Sequence, residues 1–229
     1  MSINNKENLE ECSFLPHDRP KKLIFLLHGY GDNAENFIHI AREIYKSNWE
    51  ANYVAINAPS KIHNYPLGRE WFNLYPNGIY ITEAGSKEIN AIKSEVLIAL
   101  SKIKNTIKNS ADKFSLKFSD CLVLGFSQGG MMTFELGSYL DQQLGGLAII
   151  SGRIFDERVI NNINFLRTPL FISHGDKDEV LPVENFYRAC DFLKENKFNY
   201  ESHLLKGDSH TISSKTIDLL QKFITKNLQ

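Results

Sequence analysis

Cys121-Leu122-Val123-Leu124-Gly125-Phe126-Ser127-Gln128-Gly129 passes from an apolar run of strand type into a helix-like pattern. How that junction is read decides the rest of the chain. Gly-x-Ser-x-Gly at such a place is the pattern of a nucleophile elbow, a sharp strand-to-helix turn that holds a serine hydroxyl clear of the sheet. A serine in strained backbone needs small residues two before and two after it, where neighbouring backbone crowds in. Gly125 and Gly129 meet that need. The following helix directs unpaired N–H groups at whatever binds beside the serine, which favours developing negative charge there. A pattern this short also arises in ordinary turns, so its partners must come from elsewhere in the chain.

Upstream, Lys22-Leu23-Ile24-Phe25-Leu26-Leu27 is a continuous apolar run of strand length, suited to a central strand covered on both faces. It runs into His28-Gly29-Tyr30-Gly31-Asp32, whose glycines allow a tight turn with accessible N–H groups. Asn33 or Asp32 caps a helix through Phe37, Ile40, Ala41 and Ile44, and residues 53–59 form a strand stopped by Pro59. From Ser60 to Ala84 periodicity fails while Tyr65, Trp71, Phe72, Tyr75 and Tyr80 crowd in, so this stretch reads as a working loop or an aromatic plug at the core's edge. Ile89, Ile92, Val96, Ala99, Ile103 and Ile107 predict a long amphipathic helix over about 86–109.

Downstream of the junction, residues 146–151 and 169–173 read as buried strands, 184–196 as a helix and 200–205 as the last strand. A closing helix presents Ile212, Leu219, Leu220, Phe223 and Ile224 to the core. Strands alternating with helices imply an α/β fold with a mostly parallel, doubly wound sheet, helices on both faces and functional groups at the strand C-terminal ends. The whole chain, 1–229, reads as one domain without a separate lid, with residues 1–11 as a loose, polar start.

A net charge of −1 gives no clustered basic surface, which argues against nucleic acid or an anionic membrane as the main partner. The lysines between Lys102 and Lys117 read as a solvated helix face. No apolar run is long enough to span a bilayer. Cys12, Cys121 and Cys190 are three, widely spaced and in no metal-like pairing, which suits a reducing cytoplasm and predicts neither metal nor cofactor.

A serine hydroxyl is a poor nucleophile near neutral pH until a base takes its proton, and histidine suits that task. Of seven histidines, only His174, His203 and His210 follow Ser127. His174 ends a strand before the acidic loop and supports it; His203 lies within the last strand. His210 occupies a polar loop after that strand, from which it can reach over the sheet's end. For the acid, Asp176 and Asp178 share one loop. The apolar flank Val180-Leu181-Pro182 gives Asp178 a small lead, while Asp176 beside Gly175 suits a turn. Two backbone N–H groups, from Tyr30 and Gln128, are the candidates to hold an oxyanion.

With these residues in hand, the chain resembles the phospholipase/carboxylesterase family of α/β-hydrolases, the group with acyl-protein thioesterases and small bacterial carboxylesterases. The matching stretches are residues 27–32, Trp71-Phe72, Gly125 to Gly130, His174 to Pro182, and His210. The resemblance implies Ser127 as nucleophile, His210 as base, Asp178 rather than Asp176 as acid, and Tyr30 and Gln128 as oxyanion donors. It also implies Trp71 beside an acyl pocket, with Phe72 and Leu181 as further substrate contacts. The expected activity is cofactor-free hydrolysis of a small-molecule acyl ester by a cytoplasmic enzyme, with a thioesterase on lipidated proteins as the rival and a non-catalytic binder as the remote one. A homodimer is left open. The chain departs from the family pattern at Asn73, where many members have Asp after Trp-Phe, and at Ser209, where many have Gly before the histidine.

Overall fold

The computed structural model describes residues 8–155 and 160–227. Its main sheet has seven strands: β1 (Glu11–Phe14), β2 (Lys22–Leu27), β3 (Ala51–Ile56), β6 (Cys121–Phe126), β7 (Gly146–Ile150), β8 (Leu170–Gly175) and β9 (Tyr200–Leu205). They lie in the order β1-β3-β2-β6-β7-β8-β9, and every pairing is parallel except that of β1 with β3. The apolar runs read as central strands are central: β2, β3 and β7 are almost wholly buried. Strands buried on both faces need helices on both.

Alternation along β2 divides its side chains between two cores. Leu23, Phe25 and Leu27 face the core built with α3 (Ser86–Lys113), α4 (Gln128–Tyr139) and α6 (Glu184–Glu195). Ile24 and Leu26 face the other, built with α1 (Ala34–Phe37), α2 (His39–Ile44) and α7 (Ser214–Asn227). A short α5 (Ile163–Arg167) packs Phe165 into the first core. The helix expected over 86–109 extends to Lys113, with Ile92, Val96, Ala99, Ile103 and Ile107 on its buried stripe.

Three features differ from the sequence reading. The helix after Asn33 is two pieces: Asn33 does cap it, accepting from Asn36 N–H at 3.0 Å, but the pieces part at Ile38. Within 60–84 lies an antiparallel hairpin, β4 (Ser60–Ile62) with β5 (Tyr65–Glu70), bulged between Lys61 and Ile62. Pro66 and Gly68 break the alternation that would have announced it; Gly68 lies so close under the Tyr65 ring that a Cβ would sit 2.1 Å from Cδ1. Residues 8–11, expected loose, are tied down: Leu9 N–H donates to Thr106 Oγ1 at 3.1 Å, Asn57 N–H donates to Glu10 O at 2.8 Å, and Glu11 opens β1. Residues 1–7 of that start lie outside the described residues.

Candidate active site

β6 feeds directly into α4 through Ser127, whose backbone sits at φ 54° and ψ −118°. The two glycines explain how so tight a turn fits. A Cβ on Gly125 would lie 2.1 Å from Gly129 O, and one on Gly129 would lie 2.0 Å from Leu27 O. No side chain larger than hydrogen is accommodated at either place, and the start of α4 is thereby pressed against the end of β2. Gln128 N–H, the first of the helix, has no intrahelical acceptor. The turn 28–31 stands beside it, with Tyr30 as its tip and 41% exposed.

Across the sheet's C-terminal edge, the loops after β8 and β9 close on each other. A Cβ on Gly175 would meet Asp208 O at 2.2 Å and Ser209 O at 2.6 Å, so glycine alone lets the loop carrying His210 cross the end of β8. Asp176 fastens that loop by accepting from Gly207 N–H at 2.6 Å. Asp178 does something else. Its Oδ2 accepts from His210 Nδ1–H at 2.7 Å, and its Oδ1 accepts from Val180 N–H at 2.9 Å and Leu181 N–H at 2.8 Å. Burial of this carboxyl pushes its pKa up, but the His210 hydrogen bond, the Leu181 N–H and the attraction of His210 and His174 outweigh that and leave it below the ordinary value.

His174 supports the loop as expected. Its Nε2 lies 2.8 Å from Leu181 O; a carbonyl only accepts, so Nε2 carries the hydrogen and also stands 3.3 Å from Asp178 Oδ2. Burial lowers its pKa, against the opposing pull of the Leu181 carbonyl and Asp178. His203, partly exposed, packs on Phe171 with ring centroids 5.1 Å apart.

The imidazole of His210 packs on Phe126, the residue before Ser127, with centroids 4.8 Å apart. Among the described residues, the Ser127 hydroxyl makes no hydrogen bond with that ring. Of these three groups, only Asp178 and His210 are joined by a hydrogen bond among the described residues.

Trp71, Phe72 and Leu181 are each 1% exposed. The Trp71 indole N–H donates to His28 O at 2.9 Å. The hairpin β4–β5 runs alongside, joined to the turn by Gly31 N–H to Arg69 O and Arg69 N–H to Asp32 O at 2.9 and 3.1 Å. What sequence reasoning passed over is His28 and the side chain of Gln128, both buried beneath this turn. The one signal for them was a polar residue placed directly at the end of a fully apolar strand or of an elbow. Among the described residues, no group of three or more His, Cys, Asp or Glu could hold a metal ion, and no helix is long and apolar enough to cross a membrane.

The strand ends thus hold a hydroxyl on a strained turn and a histidine anchored by a buried carboxylate. The chain is similar to known proteins. A family profile described as Phospholipase/Carboxylesterase matches residues 13–228. Acyl-protein thioesterase 1 of Saccharomyces cerevisiae is 28% identical over 218 residues, 91% of this chain and 93% of that protein. Acyl-protein thioesterase 1 homolog 1 of Dictyostelium discoideum is 27% identical over 212 residues, 90% of each. Among solved structures, Arabidopsis thaliana SOBER1 superposes with a TM-score of 0.78 at 25% identity, over 91% of this chain and 99% of that one. Esterase PE8 superposes with a TM-score of 0.80 at 24% identity, over 96% and 98%, a likeness of fold. Since the profile takes in the sheet, the elbow and both loops that close over it, the chain belongs to the phospholipase/carboxylesterase family of α/β-hydrolases.

Proposed function

We propose that this hydrolase cleaves carboxylic acyl esters through an acyl-enzyme on Ser127, with His210 as base and Asp178 as its anchor. The observation that carries the reading is the 2.7 Å hydrogen bond from His210 Nδ1–H to Asp178 Oδ2 at the strand ends beside the elbow. It fixes the tautomer: with Nδ1 committed to the carboxylate, Nε2 bears the free lone pair that can take a proton from Ser127 Oγ.

In the acylation step Oγ adds to the acyl carbonyl carbon as its proton moves to Nε2, and the carbonyl oxygen becomes an oxyanion facing the N–H groups of Tyr30 and Gln128. Collapse expels the leaving alcohol, which takes the proton back from Nε2. Water, deprotonated by the same nitrogen, then adds to the acyl-serine, and a second collapse frees the carboxylic acid and restores the serine. Asp178 stays ionised throughout and stabilises the imidazolium by charge and by hydrogen bond. No cofactor enters this sequence of steps.

The substrates that fit this reading are soluble esters of short to medium acyl chains, or lysophospholipid-like esters. A second reading, cleavage of acyl thioesters on lipidated proteins, is supported by the names of relatives that match along nearly the whole chain. The same steps serve it, with a thiol leaving instead of an alcohol. A reducing compartment such as the cytoplasm is supported by Cys12, Cys121 and Cys190, which are unpaired thiols.

A fluorophosphonate probe tests the chemistry. Folded wild-type protein is expected to be labelled and Ser127→Ala not; absence of labelling on folded wild type ends the reading. Matched esters and thioesters of graded chain length, compared by kcat/KM, then decide between the two substrate classes.

A further inference from the structure

The peptide between Gly29 and Tyr30 is surrounded by more buried polar contacts than a surface turn requires, and they form one connected set. His28 is wholly buried, with Nε2 3.0 Å from Ala58 N and Nδ1 2.7 Å from Gly29 O. A backbone N–H can only donate, so Nε2 accepts, and Nδ1 must carry the hydrogen given to Gly29 O. Burial lowers the pKa of His28 despite that carbonyl, which keeps the ring in this neutral form. In a trans peptide the C=O and the next N–H point in opposite directions, and the described chain has no cis bonds. Drawing Gly29 O toward the His28 ring therefore turns Tyr30 N–H the other way.

The neighbouring carbonyl is held too. Trp71 Nε1–H donates to His28 O at 2.9 Å, and the two rings lie 5.4 Å apart. Trp71 is in turn fastened to the elbow: its backbone N–H donates to Gln128 Oε1 at 3.0 Å, while Gln128 Nε2 donates to Phe72 O at 2.8 Å. These partners leave the amide one orientation, since a donor faces its oxygen and an acceptor its nitrogen. Gln128 and Trp71 are each 1% exposed and His28 is fully enclosed, so water does not compete for these bonds. The residue that offers one N–H from its backbone thus reaches, through its side chain and Trp71, to the peptide that offers the other.

We propose that His28, Trp71 and the Gln128 side chain are positioning residues, a buried frame that sets the spacing and aim of the Tyr30 and Gln128 N–H groups before substrate arrives. This rests on the Ser127 hydrolase reading given above. In it Trp71 acts through hydrogen bonds, rather than as a wall touching the acyl chain. Donors already aimed at the developing charge need no rearrangement during the reaction, which is where such groups gain their effect.

Two variants remove bonds. Trp71→Phe loses the indole N–H to His28 O together with part of the buried ring; Gln128→Met keeps the side-chain length and leaves Trp71 N–H and Phe72 O without partners. Each is assayed on a soluble ester, with rates expressed per site titrated by fluorophosphonate so that misfolded protein does not count. Each is also tested with a trifluoromethyl ketone, whose carbonyl carbon accepts Ser127 Oγ while the proton passes to His210 and the charge rests on the ketone oxygen. Loss of one oxyanion donor lowers kcat by about 10²–10³-fold, so a misaimed one should lower it by about 10- to 100-fold. KM should stay within about threefold, and ketone affinity should fall by the same factor as kcat/KM. If Trp71→Phe does not fold, Gln128→Met carries the test alone.

A raised KM with unchanged kcat would mean that Trp71 touches substrate and would overturn the proposal. So would wild-type kcat and ketone affinity in both variants while Ser127→Ala is inactive, which would leave the hydrolase reading standing. Activity surviving in Ser127→Ala would remove both.

Discussion

Asp178 and Asp176 are two residues apart, alike in chemistry, and separated by what their oxygens meet. Asp178 accepts from His210 and from two backbone N–H groups, whereas Asp176 accepts from Gly207 N–H and serves the loop. Replacing Asp178 by Asn puts a donor where a carboxylate accepted and disturbs the imidazole tautomer, so kcat should fall by about 10⁴-fold while the fold survives. The check is steady-state kinetics beside a far-UV spectrum. The same carboxyl carries a pH signature. Its pKa is lower folded than unfolded, so its contribution to stability is present above the unfolded value and is lost as pH falls through the folded one. Urea unfolding should show the margin of wild type over Asp178→Asn shrinking between neutral pH and the acid side of the ordinary carboxylate range. The chain's spacing supplied only a small preference between these two carboxylates, because spacing does not say which backbone N–H groups will turn toward which oxygen. His28 and the Gln128 side chain were hidden for a similar reason. A polar residue beside glycine reads as part of a turn, and only tertiary packing reveals that it is enclosed.

At the level of elements, strands and helices with one unbroken pattern were legible and composite ones were not. The apolar runs at 22–27 and 121–126 are unbroken, and the stripe of α3 keeps one period over its length. The hairpin of β4 and β5 carries proline, glycine and a bulge, so no period survives in it, and its order comes from pairing with the turn at residues 31 and 32. β1 is only four residues of alternating exposure, too short to stand out before its partner β3 is known. The crossing of the β9–α7 loop over β8 is a property of elements as well. Gly175→Ala would set a methyl 2.2 Å from Asp208 O, and the loop must lift. Overpacking of this kind costs about 1–3 kcal/mol, but a displacement of about 1 Å at a reacting group can cost 10²-fold in rate. The variant should therefore lose kcat/KM by about 100-fold with only a modest drop in unfolding free energy, as measured by parallel kinetics and denaturant titration.

Over the whole molecule, the sheet separates two cores. One takes α3, α4 and α6, the other α1, α2 and α7, while Ser127, Asp178 and His210 lie in the turns and loops that follow β6, β8 and β9. β1, antiparallel on β3, covers one flank of an otherwise parallel sheet, so that flank is closed by residues close to the start of the described chain. The scaffold is stiff where it is buried on both sides, and the elbow borrows that stiffness. Ser127 is kept at φ 54° and ψ −118°, a conformation that costs a residue with a side chain about 1–3 kcal/mol. Glycine tolerates it, at a chain-entropy penalty of about 0.5–1 kcal/mol. Ser127→Gly should therefore resist heat better than Ser127→Ala, by about 1 kcal/mol in calorimetric unfolding. A laboratory that selected this protein for endurance alone, without asking it to turn over substrate, would be rewarding the disarming of its own reagent.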